Sequence, residues 1–337
     1  MRHKIAVILA AHGEAETNRF LENYRVTSKT LAHVAEVLPM PYPLRQVIAA
    51  SSSLKKLLRV RCANPGSPQN RITRDQAAAL QQYLDASTSA DRFSFEVHAA
   101  FSASPPYVEH IIDRTRQFDG QVIVSMAPVD TSISCGLLCS WLAASRKSDE
   151  LAKVRVLSRF WDDEMLYFIY CNHLFESVSR VRRRPSALKE NKRVLLLLFH
   201  GTLVADMNGN APLFRSGLEE TICMADRLRQ AILSDSRNDY ESVMVAYLNH
   251  DTGGTWTTPS FSEICASFSQ EKGIMVDLFG CGYFADGNET IHRAGELRRS
   301  SSSIDTAIIP CINSSSSFID YLASRITRAA VQITMLQ

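Results

Sequence analysis

No apolar run in this chain of 337 residues reaches the roughly 20 residues that a helix needs to span a bilayer. Charge of one sign is lacking too: 37 Lys and Arg against 35 Asp and Glu leave a net +2, so no strong field selects nucleic acid as a partner. The one basic cluster, "RVRRRP" at 180–185, reads as a solvated linker. The eight cysteines are scattered, with no CxxC pair among them, which excludes a zinc ribbon or a disulfide scaffold and fits a reducing compartment. "TGGTW" (252–256) lacks the GK[ST] of a phosphate loop, and no G-x-S-x-G nucleophile elbow is present. The start, "MRHKIAVILAAHGEAE", reads as a first strand, with no small-residue cleavage site after it. A soluble, cytoplasmic protein is expected, with peripheral membrane contact and the choice between monomer and homodimer left open.

What is present is a globular composition, 45% apolar and 21% charged, at a length that suits two domains. Apolar strand-like runs occur at 4–13, 93–102, 121–130 and 154–163, and the same rhythm returns at 193–202, 241–250, 273–282 and 304–313. The first run of each set ends in His-Gly, at His12-Gly13 and His200-Gly201, which suggests an internal duplication. Uniformly apolar strands alternating with amphipathic helices imply parallel sheets covered on both faces. The expected fold class is therefore α/β: two similar doubly wound domains, each with a four-stranded parallel sheet flanked by helices. Their expected bounds are 1–185 and 186–337, with the last helix packing back on the first domain. Residues 14–90 form a helical insertion in the first domain; within it 38–60 reads as an added helical layer or an apolar lip. Thr73 and Gln76 have the spacing of a capping box. In this architecture ligands gather beyond the carboxyl ends of the strands, and a cleft between the two domains is the expected site.

His200 stands at such a strand end, where an imidazole titrating near neutrality can take a proton or hold a metal. Glu289, after the seventh strand, also falls at a cleft mouth. Asp286 and Glu289 have D-x-x-E spacing, so a structural cap is one reading of Glu289. The other is chemical: Glu289, His292 and Glu296 share one helical face, a pattern suited to a divalent metal. Cys135 and Cys139, one turn apart, read as buried apolar cysteines.

Four blocks of the second half carry a resemblance: "LLLLFHGTLV" with His200, "AYLNHDTGGTWTTPSFSE" (246–263), "GYFADGNET" (282–290) with Glu289, and "IIPCINSSSSFIDYLASRI" (308–326). In order and spacing they resemble the ferrochelatases, class II chelatases that insert ferrous iron into a porphyrin. The first half is similar more faintly, through 64–80, 99–111 and 125–138. The resemblance implies a chelatase-like fold, with ferrous iron as substrate and no required cofactor. Porphyrin, as protoporphyrin IX or coproporphyrin, and a divalent metal ion become the implied partners. His200 becomes the proton acceptor or metal ligand and Glu289 the acid opposite it. Phe101, Tyr247, Trp256, Pro259 and residues around 38–58 become contacts of the macrocycle. The chain also departs from the family. His12 resembles a feature of the smaller sirohydrochlorin chelatases, Phe101 replaces a tyrosine, and His250 replaces an arginine. Arg293 and Leu297 interrupt a line of acids, and His12, His250 and His292 are possible additional site residues. A chelatase for sirohydrochlorin with cobalt or iron, using His12 as well, and a non-catalytic tetrapyrrole binder are the alternatives.

Overall fold

Each of the eight runs read as a strand forms one; the central strands are apolar stretches buried on both faces of their sheets, while the edge strands are partly exposed. The computed structural model describes residues 2–59, 66–181, 192–250, 253–268, 273–293 and 305–335; of Arg59, Thr88, His292 and Arg293 it describes the backbone alone. The elements of the first half are β1 (His3–Ala11), α1 (Phe20–Val37), α2 (Tyr42–Arg59), α3 (Gln69–Ala86), β2 (Phe93–Phe101), α4 (Val108–Arg114), β3 (Gly120–Ser125), α5 (Leu137–Ser145), α6 (Ser148–Leu151) and β4 (Val154–Leu157). The chain continues through α7 (Glu164–Val181), β5 (Lys192–His200), β6 (Leu203–Ala205), α8 (Leu218–Ser234), β7 (Ser242–Leu248), β8 (Thr255–Trp256), α9 (Phe261–Phe268), β9 (Ile274–Phe279), β10 (Asp305–Ile309) and α10 (Ser316–Met335). Strands β3 and β4 end several residues before the apolar runs that announce them, since the chain there turns into loops.

Two four-stranded sheets result, all parallel, in the orders β2-β1-β3-β4 and β7-β5-β9-β10. Counted within its own sheet, each runs second, first, third, fourth strand. One topology is thus built twice, as the repeated rhythm and the paired His-Gly ends predict. Ile5 to Leu9 of β1 and Leu195 to Leu197 of β5 are wholly inaccessible to solvent. Burying each Val, Leu or Ile among them contributes about 1.5–3 kcal/mol, so the central strands are the main source of stability in each sheet.

The chain divides into two compact units, residues 1–158 with 316–337, and residues 159–315. The first boundary thus differs from the expected 185, because α7 packs on α8 and β10 and brings residues 164–181 into the second unit. Tyr170 of α7 meets Phe279 edge-on at 5.8 Å, and His173 Nε2 donates to the Pro310 carbonyl at 2.9 Å. Pro185 lies outside the described residues. Helix α10 packs on α3 and on β1, β3 and β4, within the first unit. The segment 14–90 is helical, and α1 packs against α2. On α2, Tyr42, Leu44, Val47, Leu54, Leu57 and Leu58 are exposed. Thr73 is not a cap: α3 begins at Gln69, one turn earlier, and the Thr73 hydroxyl donates to the Gln69 carbonyl from inside the helix at 3.0 Å. No helix of the described residues is long and apolar enough to cross a membrane.

Candidate active site

The site is built where β5, β7 and β9 end. His200 is the last residue of β5, with its side chain half exposed, and it registers with Leu248, the last of β7. Two residues further on, His250 turns back, and its Nε2 lies 3.2 Å from the Nε2 of His200, with the ring centroids 5.1 Å apart. At that distance one neutral imidazole can donate to the other, or both can face one cation. Their close approach depends on Gly201. A Cβ there would lie 2.6 Å from the Cα of Asn249, so a side chain would force the two strand ends apart. Around this contact a small network fixes the loops. Gly201 N–H donates to Leu248 O at 3.1 Å, Thr202 N–H to Thr257 Oγ1 at 3.1 Å, and Asn249 Nδ2 to Thr257 O at 2.8 Å. Thr257 follows β8, whose Trp256 stands edge-on to His250 at 5.5 Å.

Glu289 arrives from the loop after β9. Gly282 lets that loop lie against β5: its N–H donates to Leu198 O at 3.0 Å, and a Cβ would meet Phe199 Cα at 2.8 Å. The carboxylate of Glu289 is largely buried, with Oε2 3.9 Å from His200 Nε2 and Oε1 3.6 Å from His250 Nε2. The Tyr283 hydroxyl donates to the same Oε2, which fixes its direction. Glu289 opens a π-turn, Glu289–Arg293, rather than an α-helix. Residues beside Glu289 tie this turn together. Thr290 Oγ1 accepts from Gly287 N at 3.0 Å, and Asp286 accepts from Cys311 N at 3.2 Å and Asn313 Nδ2 at 2.7 Å.

His200, His250 and Glu289 each offer one donor atom, all within 4.8 Å of one another. Two imidazoles and a carboxylate are the donor types that borderline divalent ions accept. The remaining candidates fall in different places. Trp256 adjoins the group; Tyr247 is buried beneath it, its ring 6.4 Å from Phe199, and burial raises its hydroxyl pKa. Pro259 is exposed, and its carbonyl accepts from Tyr247 N at 3.0 Å, so its visible part is structural. Phe101 is fully buried, against the position where a Cβ on Gly13 would fall, and presents no surface to a ligand. His12 sits just past β1 in the other unit, exposed, its Nε2 3.2 Å from Thr30 Oγ1. The side chains of His292 and Arg293, and all of Glu296 and Leu297, lie outside the described residues. Tyr283 was missed by the sequence reading, although it stands in the same block as Glu289 and its phenol needs a partner once half-buried.

This architecture, two four-stranded parallel sheets of one topology flanked by helices, is chelatase-like. In fold the chain is similar to "CbiX, the terminal Enzyme for Biosynthesis of Siroheme in Denitrifying Bacteria", with a TM-score of 0.51 and 12% identity over 96% of this chain and 98% of that one. SirB from Bacillus subtilis, solved with Fe3+, is similar at a TM-score of 0.48 and 10% identity, over 97% and 96% of the two chains. No curated protein matches the chain in sequence. The family model for ferrochelatase matches residues 4–330, and the chain belongs to the ferrochelatase family. It is accordingly a metal-inserting enzyme of the chelatase kind, whose substrates are a tetrapyrrole and a divalent metal ion.

Proposed function

We propose that this enzyme inserts ferrous iron into a porphyrin, protoporphyrin IX or coproporphyrin, in heme biosynthesis. One observation carries the reading: His200, His250 and Glu289 converge at the strand ends with their donor atoms within 4.8 Å. Insertion exchanges two pyrrole N–H protons for one dication, so the site has to accept protons and balance charge in the same small volume. The exposed imidazole of His200 accepts a pyrrole proton through Nε2. Glu289, oriented by the Tyr283 hydroxyl, balances the incoming metal. His250 adds a nitrogen donor, and Trp256 offers an aromatic edge to the macrocycle. Bending the flat ring so that its nitrogen lone pairs become accessible costs on the order of 1–5 kcal/mol, which contact with its apolar faces must offset.

The test is direct. Purified protein is mixed with ferrous iron without oxygen, or with zinc, and with protoporphyrin IX or coproporphyrin, and the metalloporphyrin is followed by absorbance. Product formation that His200→Ala abolishes is the expected result; binding of porphyrin without metallation would overturn it. A second reading rests on His12, which occupies on β1 the place that follows the strand as His200 closes β5. It makes sirohydrochlorin the substrate, with cobalt or iron. Activity confined to sirohydrochlorin and lost in His12→Ala would favour it.

A further inference from the structure

Cys135 and Cys139 do not form the buried apolar pair that their spacing suggests. Cys135 is buried, but Cys139 is exposed, the one exposed cysteine among the described residues. Their sulfurs are 3.8 Å apart. The turn that carries Cys135 is a π-turn, Ser132–Gly136, closed by Gly136 N–H to Thr131 O at 3.0 Å and capped by Thr131, whose hydroxyl accepts from Ser134 N at 3.1 Å. We propose that Cys139 is a modification site for low-molecular-weight disulfides such as glutathione disulfide, with Cys135 as the thiol that resolves the adduct into an internal Cys135–Cys139 disulfide.

The asymmetry of the two environments assigns the roles. The two thiols share one S–H···S contact, which holds the Cys139 thiol down at about 7 against the opposing effects of burial and of Asp130. The same bond, together with burial, pushes the Cys135 thiol up. Cys139 is therefore the nucleophile, an exposed and acidic thiol beside a resolving partner. Its thiolate attacks one sulfur of the small disulfide, forming the mixed disulfide and expelling one thiolate. Cys135 then loses its proton to that departing thiolate or to water, and its sulfur attacks the Cys139 sulfur, expelling the second thiolate. Two protein thiols are oxidised by two electrons, and one small disulfide is reduced to two thiols. Closing the bond brings the sulfurs from 3.8 Å to about 2.05 Å. Side chains four apart on a helix hold their Cβ atoms about 5–6 Å apart, against about 3.5–4.5 Å in a disulfide, so the turn must yield. The wider π-turn is where it can. A bond formed under that constraint is readily reduced, which suits a reversible modification rather than a structural crosslink.

The full-length protein, treated with glutathione disulfide near neutral pH, quenched by acid and alkylated, is read by peptide mass spectrometry. The expected result in the unaltered protein is loss of the two thiol hydrogens in the peptide holding Cys135 and Cys139, reversed by reduced glutathione. Cys135→Ser should instead accumulate the glutathione adduct at Cys139, forming roughly tenfold faster than at Cys223 or Cys265. Neither product at Cys139, or an adduct formed as fast on Cys135 in Cys139→Ser, would overturn the proposal. The measurement on the unaltered protein does not depend on any variant folding.

Discussion

At the scale of single residues, His200 and Glu289 were legible because each sits in a recognisable block beside a strand end, where a side chain is both rigidly held and free to react. His200→Ala should lower kcat by at least about 100-fold, the range for loss of a general base, as read by porphyrin metallation. Tyr283→Phe keeps the ring and removes the hydroxyl that orients Glu289. A hydrogen bond to a charged group contributes about 1.5–3 kcal/mol, so a loss of about tenfold or more in kcat is expected, with KM for porphyrin little changed. A KM effect alone would show that Tyr283 acts on binding. Tyr283 could not be read from spacing, and neither could the contact of His250, a further candidate, with His200. His250 is 50 residues from His200 and Tyr283 is on a third loop, so their proximity exists only after the strands pair in register. Phe101 shows the opposite failure: a position inferred from family likeness proves to be core.

Secondary-structure elements were read more securely than their ends. Apolar runs such as Val194 to Phe199 are strands because burial on both faces leaves little room for another pattern. Leu196→Ala in β5 should cost about 2–5 kcal/mol of stability, seen as a lower urea midpoint with an unchanged slope. The ends depend on loops that sequence describes poorly. Helix α3 starts at Gln69 because the chain before it is held by bonds from distant residues, Ser67 N–H to Ala15 O at 2.9 Å and Gly13 N–H to Gln69 Oε1 at 3.1 Å. The loop after β9 lies against β5 through Gly282. In Gly282→Ala the new Cβ meets Phe199 Cα at 2.8 Å, so the loop must shift and draw Glu289 away from His200. Chelatase activity should fall more steeply than the thermal midpoint does; equal activity with a lowered midpoint would contradict this account.

For the whole molecule, acid sensitivity follows from three histidines, His33, His98 and His173, each with its pKa lowered chiefly by burial. Unfolded, each titrates near its ordinary value of about 6.5. As pH falls through that value the unfolded chain binds protons that the folded chain resists, so stability held above about 6.5 is lost progressively toward the lower folded values. The urea midpoint should be lower at pH 5.5 than at pH 7.5; an equal or higher one would contradict the assignment. What the sequence by itself determined was the α/β class, the eight strands and the doubled rhythm, because each is written in local apolar periodicity and in the repeated His-Gly ends. Only the tertiary structure decided the strand order, the joining of α7 to the second unit and the meeting of His200, His250, Tyr283 and Glu289. It also separated the exposed Cys139 from the buried Cys135. The physical reason is that periodicity records which side of an element meets the core, whereas a site is made by residues far apart in sequence whose separation is set by pairing and packing.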